Sequence, residues 1–201
     1  MWQLKPVIPV LRFDNRDQAV FLSEVLVKGG FETLEITLTT PSALEIIEEL
    51  KTKYGDDLKV GCGTVMNAKE AEEGIGAGAD YLVAPIQDSN VVDVAKRHNK
   101  KIILGALSPT EIWNANQMGA DLVKIFPANI GGPGMIKALK AVFSKIHLFP
   151  TGGVDLSNFR NYMEAGATHV GVGGAITGGI PISSINERKL IQHTQQYLQT
   201  A

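Results

Sequence analysis

The amino-acid sequence predicts one parallel (β/α)8 barrel, and three observations support this fold class. First, a glycine that ends a helical segment and precedes a strand recurs at Gly30, Gly78, Gly119 and Gly166, every 41 to 48 residues. Second, each interval has room for two strands and two helices rather than one of each. Third, 201 residues match the smallest barrels of this class. A doubly wound open sheet shares the local pattern, but the fourfold spacing favours closure.

Eight strands are predicted from short apolar runs, which are typical of parallel strands that are buried on both faces. Four of them follow the recurring glycines, within segments 29–36, 77–83, 118–124 and 165–171. The other four lie between these segments or before the first, at Val7–Leu11, Lys59–Gly63, 102–104 and 147–149.

Eight helices are predicted where apolar residues recur at helical spacing between the strands. Several begin with a Ser, Thr or Asp cap and end at glycine, as helices prefer. The predicted helices are 14–28, 42–54, Ala68–Gly76, 90–98, 108–118, 134–143, 157–164 and 185–198. No linker, low-complexity tract or charge block divides the chain, so we expect residues 1–201 to form one domain.

Composition argues against several classes of partner. The chain is 44% hydrophobic and 20% charged with a formal net charge of −2, so no basic surplus indicates a nucleic-acid partner. Residues 1–6 lack the basic start and long apolar core of a signal peptide, and no apolar run has the length of a membrane span. We therefore expect a cytoplasmic protein with no membrane partner. The single cysteine, Cys62, excludes an intrachain disulfide and predicts a packed small residue rather than a nucleophile.

Lys124 is the most informative residue, because it interrupts the apolar run 122–126, which would otherwise suit a fully buried strand. Burial disfavours the ammonium form of a lysine, and a neutral amine can attack a carbonyl carbon to form an imine. The alternative is a structural lysine that is paired with a buried carboxylate. The sequence therefore predicts either an imine-forming lysine or a buried ion pair.

Glu35 is the predicted partner of Lys124. It belongs to the second strand and Lys124 to the sixth, and these strands lie opposite each other in an eight-stranded barrel. Thr33, Glu35 and Thr37 share one face of the second strand, which we expect to point inward, while the intervening apolar residues meet the helices. One carboxyl group could then serve as the acid and the base that imine formation and carbon–carbon cleavage require. The alternative is that Glu35 only neutralises Lys124.

Two glycine pairs predict an anion site. Gly152-Gly153 follows the seventh strand and Gly173-Gly174-Ala175 follows the eighth, where barrels commonly bind phosphate through loop amides. Either pair alone could mark a tight turn, but two pairs at consecutive strand ends favour phosphate. A ligand without phosphate is the alternative.

Three further residues are predicted to bind a substrate carboxylate. Arg12 ends the first strand, Thr64 ends the third and Thr151 follows the seventh, so their side chains could supply a charge and two hydroxyl groups. For Arg12 the alternative is an exposed salt bridge to Asp14 or Asp17. For the threonines the alternative is packing at the strand ends.

Metal catalysis and dinucleotide binding find little support in the sequence. The four histidines are scattered, and His147 and His169 begin strands, at the structural end of a barrel. The glycine pairs lie late in the chain without the strand–turn–helix fingerprint of a dinucleotide site. We expect neither a metal ion nor another cofactor.

Six motifs, in this order and spacing, together resemble one known family, the 2-keto-3-deoxy-6-phosphogluconate (KDPG) aldolases, many of which also act on 4-hydroxy-2-oxoglutarate (KHG). The motifs are Pro9-Val10-Leu11-Arg12, Leu34-Glu35-Ile36-Thr37, Gly61-Cys62-Gly63-Thr64-Val65, Val123-Lys124-Ile125-Phe126-Pro127, Pro150-Thr151-Gly152-Gly153 and Gly171-Val172-Gly173-Gly174-Ala175. The likeness covers nearly the whole chain.

The resemblance implies a trimeric (β/α)8 barrel that cleaves a phosphorylated keto acid without a cofactor. By this likeness Lys124 forms the imine with pyruvate, Glu35 is the general acid and base, and the glycine turns bind the phosphate. Pro85 and Phe126 are expected to line the same pocket. The implied partners are the phosphorylated keto acid, pyruvate and two further copies of the chain.

One departure from the family pattern concerns substrate preference. Well-known members carry arginine four residues after the glutamate, where this chain has Thr39, while others combine threonine there with an arginine after the first strand, as Arg12 is here. The related galactonate enzyme is also similar, but its turn tends to read A-V-G-G, so Thr151 favours the gluconate compound. A metal-free phosphosugar isomerase and a non-catalytic phosphosugar binder are the alternatives from other classes.

Overall fold

The structure is a computed structural model that describes residues 5–182 and 186–199. Residues 1–4, which entered the argument about a signal peptide, lie outside the described residues. So does residue 185, the predicted start of the last helix.

The described residues form eight parallel strands in one sheet, with the order β7-β6-β5-β4-β3-β2-β1-β8. The strands are β1 Val7–Leu11, β2 Thr33–Thr37, β3 Lys59–Gly63, β4 Tyr81–Ala84, β5 Lys101–Ala106, β6 Leu122–Ile125, β7 Leu148–Pro150 and β8 Val170–Val172. A parallel bridge between Thr151 and Gly171 joins the two ends of this order, so the sheet curls into a nearly closed barrel. The predicted (β/α)8 barrel is confirmed.

Eight α-helices surround the barrel within the same described ranges. They are α1 Arg16–Lys28, α2 Ala43–Tyr54, α3 Ala68–Gly76, α4 Ser89–Arg97, α5 Pro109–Met118, α6 Gly132–Val142, α7 Phe159–Glu164 and α8 Glu187–Leu198. Each lies within two residues of its predicted bounds at the ends that the structure describes. None of these helices combines the length and the apolar character that a membrane span needs.

The predicted caps are only partly confirmed. Ser108 and Glu111 form a reciprocal capping box at the start of α5, and Asp88 caps α4. Ser42 makes no side-chain cap bond, because its backbone is left-handed there. Asparagine is the more frequent cap in this chain, as at Asn15, where the side chain accepts from the Gln18 amide.

Hydrophobic side chains fill two layers, one inside the barrel and one between the barrel and the helices. The inner layer contains Ile8, Tyr81, Val83, Ile103, Leu122 and Phe149, all buried. On β2 the apolar residues Leu34 and Ile36 belong to the outer layer, which confirms that Glu35 points inward. This inner layer fills the barrel below the carboxyl ends of the strands. The polar side chains nearer those ends therefore pack on a closed apolar layer.

Cys62 belongs to the outer layer and packs against α3. A Cβ atom at Gly74 would lie 2.7 Å from Cys62 Sγ, so the helix approaches the strand through a position without a side chain. Burial raises the pKa of the Cys62 thiol to about 12, with the nearby carboxylates adding to the effect. A neutral, enclosed thiol confirms the prediction of a packed small residue.

Two glycines of α3 provide a test of this packing. Gly74→Ala should lower the free energy of unfolding by about 1–3 kcal/mol, because the new methyl group overlaps Cys62. Gly76→Ala is the matched control, since no atom lies within 4 Å of its added Cβ, and it should raise stability by about 0.5–1 kcal/mol. Urea unfolding measures both, and equal effects would show that α3 does not pack as described.

Candidate active site

Lys124 and Glu35 meet inside the barrel. Lys124 Nζ lies 3.2 Å from Glu35 Oε1 and can donate a hydrogen bond to it. Both side chains are buried, with exposed residue fractions of 6% and 0%. The pair joins β6 to β2 across the barrel, so the sequence-based prediction that the two groups converge is confirmed.

Gly63 creates the space that the Glu35 carboxyl group occupies. A Cβ atom at Gly63 would lie 2.3 Å from Glu35 Oε1 and 2.7 Å from Cγ, closer than real Cβ contacts permit. Gly63 is the register neighbour of Thr37 on β2, and Glu35 pairs with Gly61 two residues earlier. Sequence reasoning treated Gly63 as part of a motif and missed this role, because it depends on the side-chain conformation of another strand.

Two buried oxygen atoms of the site have no hydrogen-bond partner among the described residues. They are Glu35 Oε2 and Thr151 Oγ1. Buried polar atoms without partners are costly, by about 1–3 kcal/mol each, and so they are uncommon in folded proteins. Unpartnered atoms at two predicted site residues are typical of a site that completes its hydrogen bonds with a ligand.

A cavity of about 790 Å³ opens at the carboxyl ends of the strands. Eleven predicted site residues line it: Arg12, Thr64, Pro85, Lys124, Phe126, Thr151, Gly152, Gly153, Gly173, Gly174 and Ala175. Glu35 does not line the cavity, because it lies fully buried in contact with the Lys124 amine. The structure therefore brings all of the predicted positions to one place.

Other residues that the sequence analysis did not identify also line the cavity. They include Phe13, Gln18, Asp155, Ile176, Thr177, Ile180, Pro181 and Ile182. Phe13 and Asp155 follow β1 and β7 closely, so extending the search past each strand end would have found them. Ile180 and its neighbours reach the cavity after a helical turn and two glycines, and no sequence pattern indicated this path.

The turn after β7 needs glycine. Gly152 and Gly153 have φ angles of 98° and 73°, a region that glycine adopts without steric strain. The Asn158 side chain donates to the Gly153 carbonyl oxygen at 2.8 Å and so fixes the orientation of this turn. The backbone of the turn thus borders the cavity with no side chain to block an anion.

Thr64 has an unusual backbone conformation at the edge of the cavity. Its φ angle is 61°, which is a left-handed conformation that β-branched residues rarely adopt. Such strain costs about 1–3 kcal/mol and is found most often at functional sites. The sequence placed Thr64 at a strand end but gave no sign of this conformation.

Arg12 keeps its charge available to the cavity. It is exposed, and among the described residues it forms no ion pair with Asp14 or Asp17. Asp17 instead lies 3.7 Å from Arg16. The alternative of an exposed salt bridge at Arg12 is therefore not what the structure shows.

Residues 5–182 and 186–199 contain no group of three or more His, Cys, Asp or Glu side chains that could hold a metal ion. Lys124 and Glu35 bring one amine and one carboxyl group into contact at the base of the site. Lys124 Nζ also lies 5.8 Å from the centroid of the Phe126 ring, within range of a cation–π contact.

A buried lysine lies beside a carboxyl group at the end of the barrel where barrel enzymes bind their substrates. This arrangement is typical of lyases that form an imine with their substrate. The family model described as "KDPG and KHG aldolase" matches residues 1–192. The chain belongs to the KDPG and KHG aldolase family, and it is accordingly an aldolase, a carbon–carbon lyase.

Curated relatives agree with this assignment. The chain is 36% identical over 158 residues to "2-dehydro-3-deoxy-phosphogluconate aldolase" of Treponema pallidum (strain Nichols), covering 78% of this chain and 75% of the relative. It is 34% identical over 174 residues to "2-dehydro-3-deoxy-6-phosphogalactonate aldolase" of Escherichia coli (strain K12), covering 86% and 85%.

Solved structures share the fold over nearly the full length. One, described as "Native KDPGal structure", has a TM-score of 0.89 and 30% identity, covering 100% of this chain and 96% of that one. KDPG aldolase from Legionella pneumophila, with pyruvate captured at low pH as a covalent carbinolamine intermediate, has a TM-score of 0.80 and 30% identity. That comparison covers 98% of this chain and 94% of the other.

Gly63→Ala tests the placement of the carboxyl group. The added methyl group should displace Glu35 from Lys124 and lower kcat about 100-fold, because small misplacements of catalytic groups are that damaging. Steady-state kinetics measures the effect, and urea unfolding confirms that the variant is folded. Gly76→Ala should leave kcat unchanged. A folded Gly63→Ala variant with wild-type kcat would contradict the described contact.

Proposed function

We propose that the protein cleaves KDPG reversibly into pyruvate and glyceraldehyde 3-phosphate. The observation that supports this most directly is the 3.2 Å contact between Lys124 and Glu35 at the base of a cavity that two glycine turns border. KHG is a second substrate in this proposal, with pyruvate and glyoxylate as products. The galactonate epimer of KDPG is the alternative substrate.

Glu35 accepts a proton from the Lys124 ammonium group, and the neutral amine then attacks the C2 keto group to give a carbinolamine. The carbinolamine then loses water, with Glu35 returning the proton to the departing hydroxyl, to give a cationic imine. Glu35 takes the proton of the C4 hydroxyl as the C3–C4 bond breaks, and the bonding electrons move toward the iminium nitrogen. Glyceraldehyde 3-phosphate leaves, the enamine gains a proton at C3, and water releases pyruvate from Lys124.

The two ends of the substrate require separate anion contacts. We assign the carboxylate to Arg12, Thr64 and Thr151, whose side chains supply one charge and two hydroxyl groups at the cavity wall. The phosphate lies against the turns that contain Gly152, Gly153, Gly173, Gly174 and Ala175, where backbone amides can donate to its oxygens. The buried, unpartnered Thr151 hydroxyl supports a polar contact with the carboxylate.

Exposed apolar residues support a homotrimer. Four exposed apolar residues follow the carboxyl ends of β3, β4 or β6, namely Met66, Ile86, Phe126 and Ile130, and a fifth, Trp113, lies on α5, which follows β5. We name these five residues the apolar rim. Ile86 and Phe126 also border one shallow cleft. Exposed apolar residues on successive loops at one end of a barrel are typical of subunit interfaces, and by family likeness we propose that further copies of this chain cover them. We also propose that residues 1–201 form one catalytic domain. The proposed location of the protein is the cytoplasm.

Borohydride reduction in the presence of pyruvate should label Lys124 with a stable pyruvyl group, which peptide mass spectrometry locates. Lys124→Arg should abolish the label, because a guanidinium group does not form the imine. Pyruvate release from KDPG, its galactonate epimer and KHG, measured side by side, then ranks the substrates. Folded wild-type protein that binds pyruvate without labelling would exclude the aldolase mechanism.

The same experiment separates the roles of the two groups. Glu35→Gln should still trap pyruvate but cleave KDPG about 100-fold more slowly, within the range expected for loss of a general acid and base. Unchanged turnover would remove Glu35 from the mechanism.

Ile130→Asp tests the oligomer. Wild-type protein should have the mass of three chains in sedimentation velocity, and the aspartate should shift it to smaller species, because Ile130 is 69% exposed within the apolar rim. Val142→Asp is the matched control, since Val142 is 73% exposed but ends α6 at the opposite end of the barrel. A monomeric wild-type protein, or equal effects of both variants, would contradict the proposal.

A further inference from the structure

The barrel has a seam between β7 and β8. Neighbouring strands elsewhere in the described sheet share two or more register pairs, whereas β7 and β8 are joined at their carboxyl ends by the single bridge between Thr151 and Gly171. The two glycine turns leave the barrel on either side of this bridge. The site proposed for phosphate therefore lies beside the pair of strands that shares the fewest register pairs in the described sheet.

Tyr197 of α8 reaches this seam from outside the barrel. Its hydroxyl group donates to the Ala175 carbonyl oxygen at 3.4 Å, in the turn that follows β8. Burial raises the pKa of Tyr197 to about 12, with Asp155 adding to the effect, so the group remains a neutral donor. The hydroxyl group thus contacts the turn on the β8 side of the seam.

The ring of Tyr197 is held firmly in this position. It is fully buried and packs against Phe159, the first residue of α7, with ring centroids 5.4 Å apart. His193, one turn earlier on α8, lies edge-on to the same ring at 6.1 Å. A Cβ atom at Gly178 would lie 3.1 Å from the His193 ring, so α8 also supports the far end of the β8 turn. Tyr197 thus links the turn after β8, through its hydroxyl group, to the start of α7, which follows the turn after β7.

We propose that Tyr197 is a positioning residue that sets the separation of the two glycine turns and thereby the affinity for the phosphate group of the substrate. The inference rests on the proposed function in assigning phosphate to these turns. Tyr197 does not line the cavity, so it acts on the ligand through the backbone of the turns. Hydrogen bonds from amides on two sides to one phosphate require both turns at the correct distance, because the strength of such bonds depends on the donor–acceptor distance.

Tyr197→Phe removes the hydroxyl group and keeps the ring. Loss of one neutral hydrogen bond should raise KM for KDPG about three- to tenfold, and the inhibition constant of inorganic phosphate should rise by a similar factor. The rate at which pyruvate methyl protons exchange with D2O should stay within about twofold of wild type. This exchange uses the lysine and the carboxyl group but no phosphate contact, and NMR follows it directly.

Tyr162→Phe is the matched control. Tyr162 is also buried, and its hydroxyl group donates to a backbone carbonyl oxygen, that of Ala128, at the same distance of 3.4 Å. Ala128 follows β6, so this bond does not span the seam. The control should lose a similar amount of stability in urea unfolding while the KM for KDPG and the phosphate inhibition constant stay near wild type.

The outcomes separate this inference from the proposed function. Equal changes in KDPG cleavage and pyruvate exchange, or no change in either phosphate measure, would show that Tyr197 has only a structural role. If wild-type protein neither traps pyruvate nor cleaves KDPG, the proposed function fails, and calorimetric titration of wild type and Tyr197→Phe with inorganic phosphate still tests the positioning role. Wild-type protein that does not bind inorganic phosphate overturns the inference.

Discussion

The contact between Lys124 and Glu35 is the constraint on which the rest of the site depends. Two ionisable groups that are removed from water require mutual compensation, and loss of one partner from such a pair typically costs about 3–5 kcal/mol. The barrel meets this requirement by placing the groups on opposite strands, 89 residues apart in the chain, with side chains 3.2 Å apart. The same contact is chemically useful, because a carboxyl group beside an amine can move the protons that imine chemistry requires.

The register of the strands constrains where the side chains of Lys124 and Glu35 can lie. Lys124 is the register neighbour of Gly105 on one side and Phe149 on the other, and Glu35 is the neighbour of Val10 and Gly61. A slip of one residue in either strand would turn the amine or the carboxyl group toward the helices. The apolar inner layer of the barrel therefore does more than stabilise the fold, since its packing also fixes the register of the catalytic strands.

Much of this could be predicted from the sequence, because the relevant signals are periodic or local. The recurring glycines and apolar runs predicted all eight strands, and strand parity predicted the meeting of Lys124 and Glu35. The start of α6 was predicted two residues late, since Gly132 and Pro133 are typical of turns. The strained backbone of Thr64 and the contact of Tyr197 with Ala175 left no local signal, because each depends on how distant parts of the chain pack.

Gly63 shows how one missing side chain links two strands. The Glu35 carboxyl group fills the volume that any other residue at position 63 would claim. The two side chains therefore cannot both occupy this volume, and a change at one position constrains the other. A larger residue at position 63 would require a shorter acid at position 35 or an acid at another position. An engineer who seeks a different proton donor in this barrel must therefore redesign β2 and β3 together.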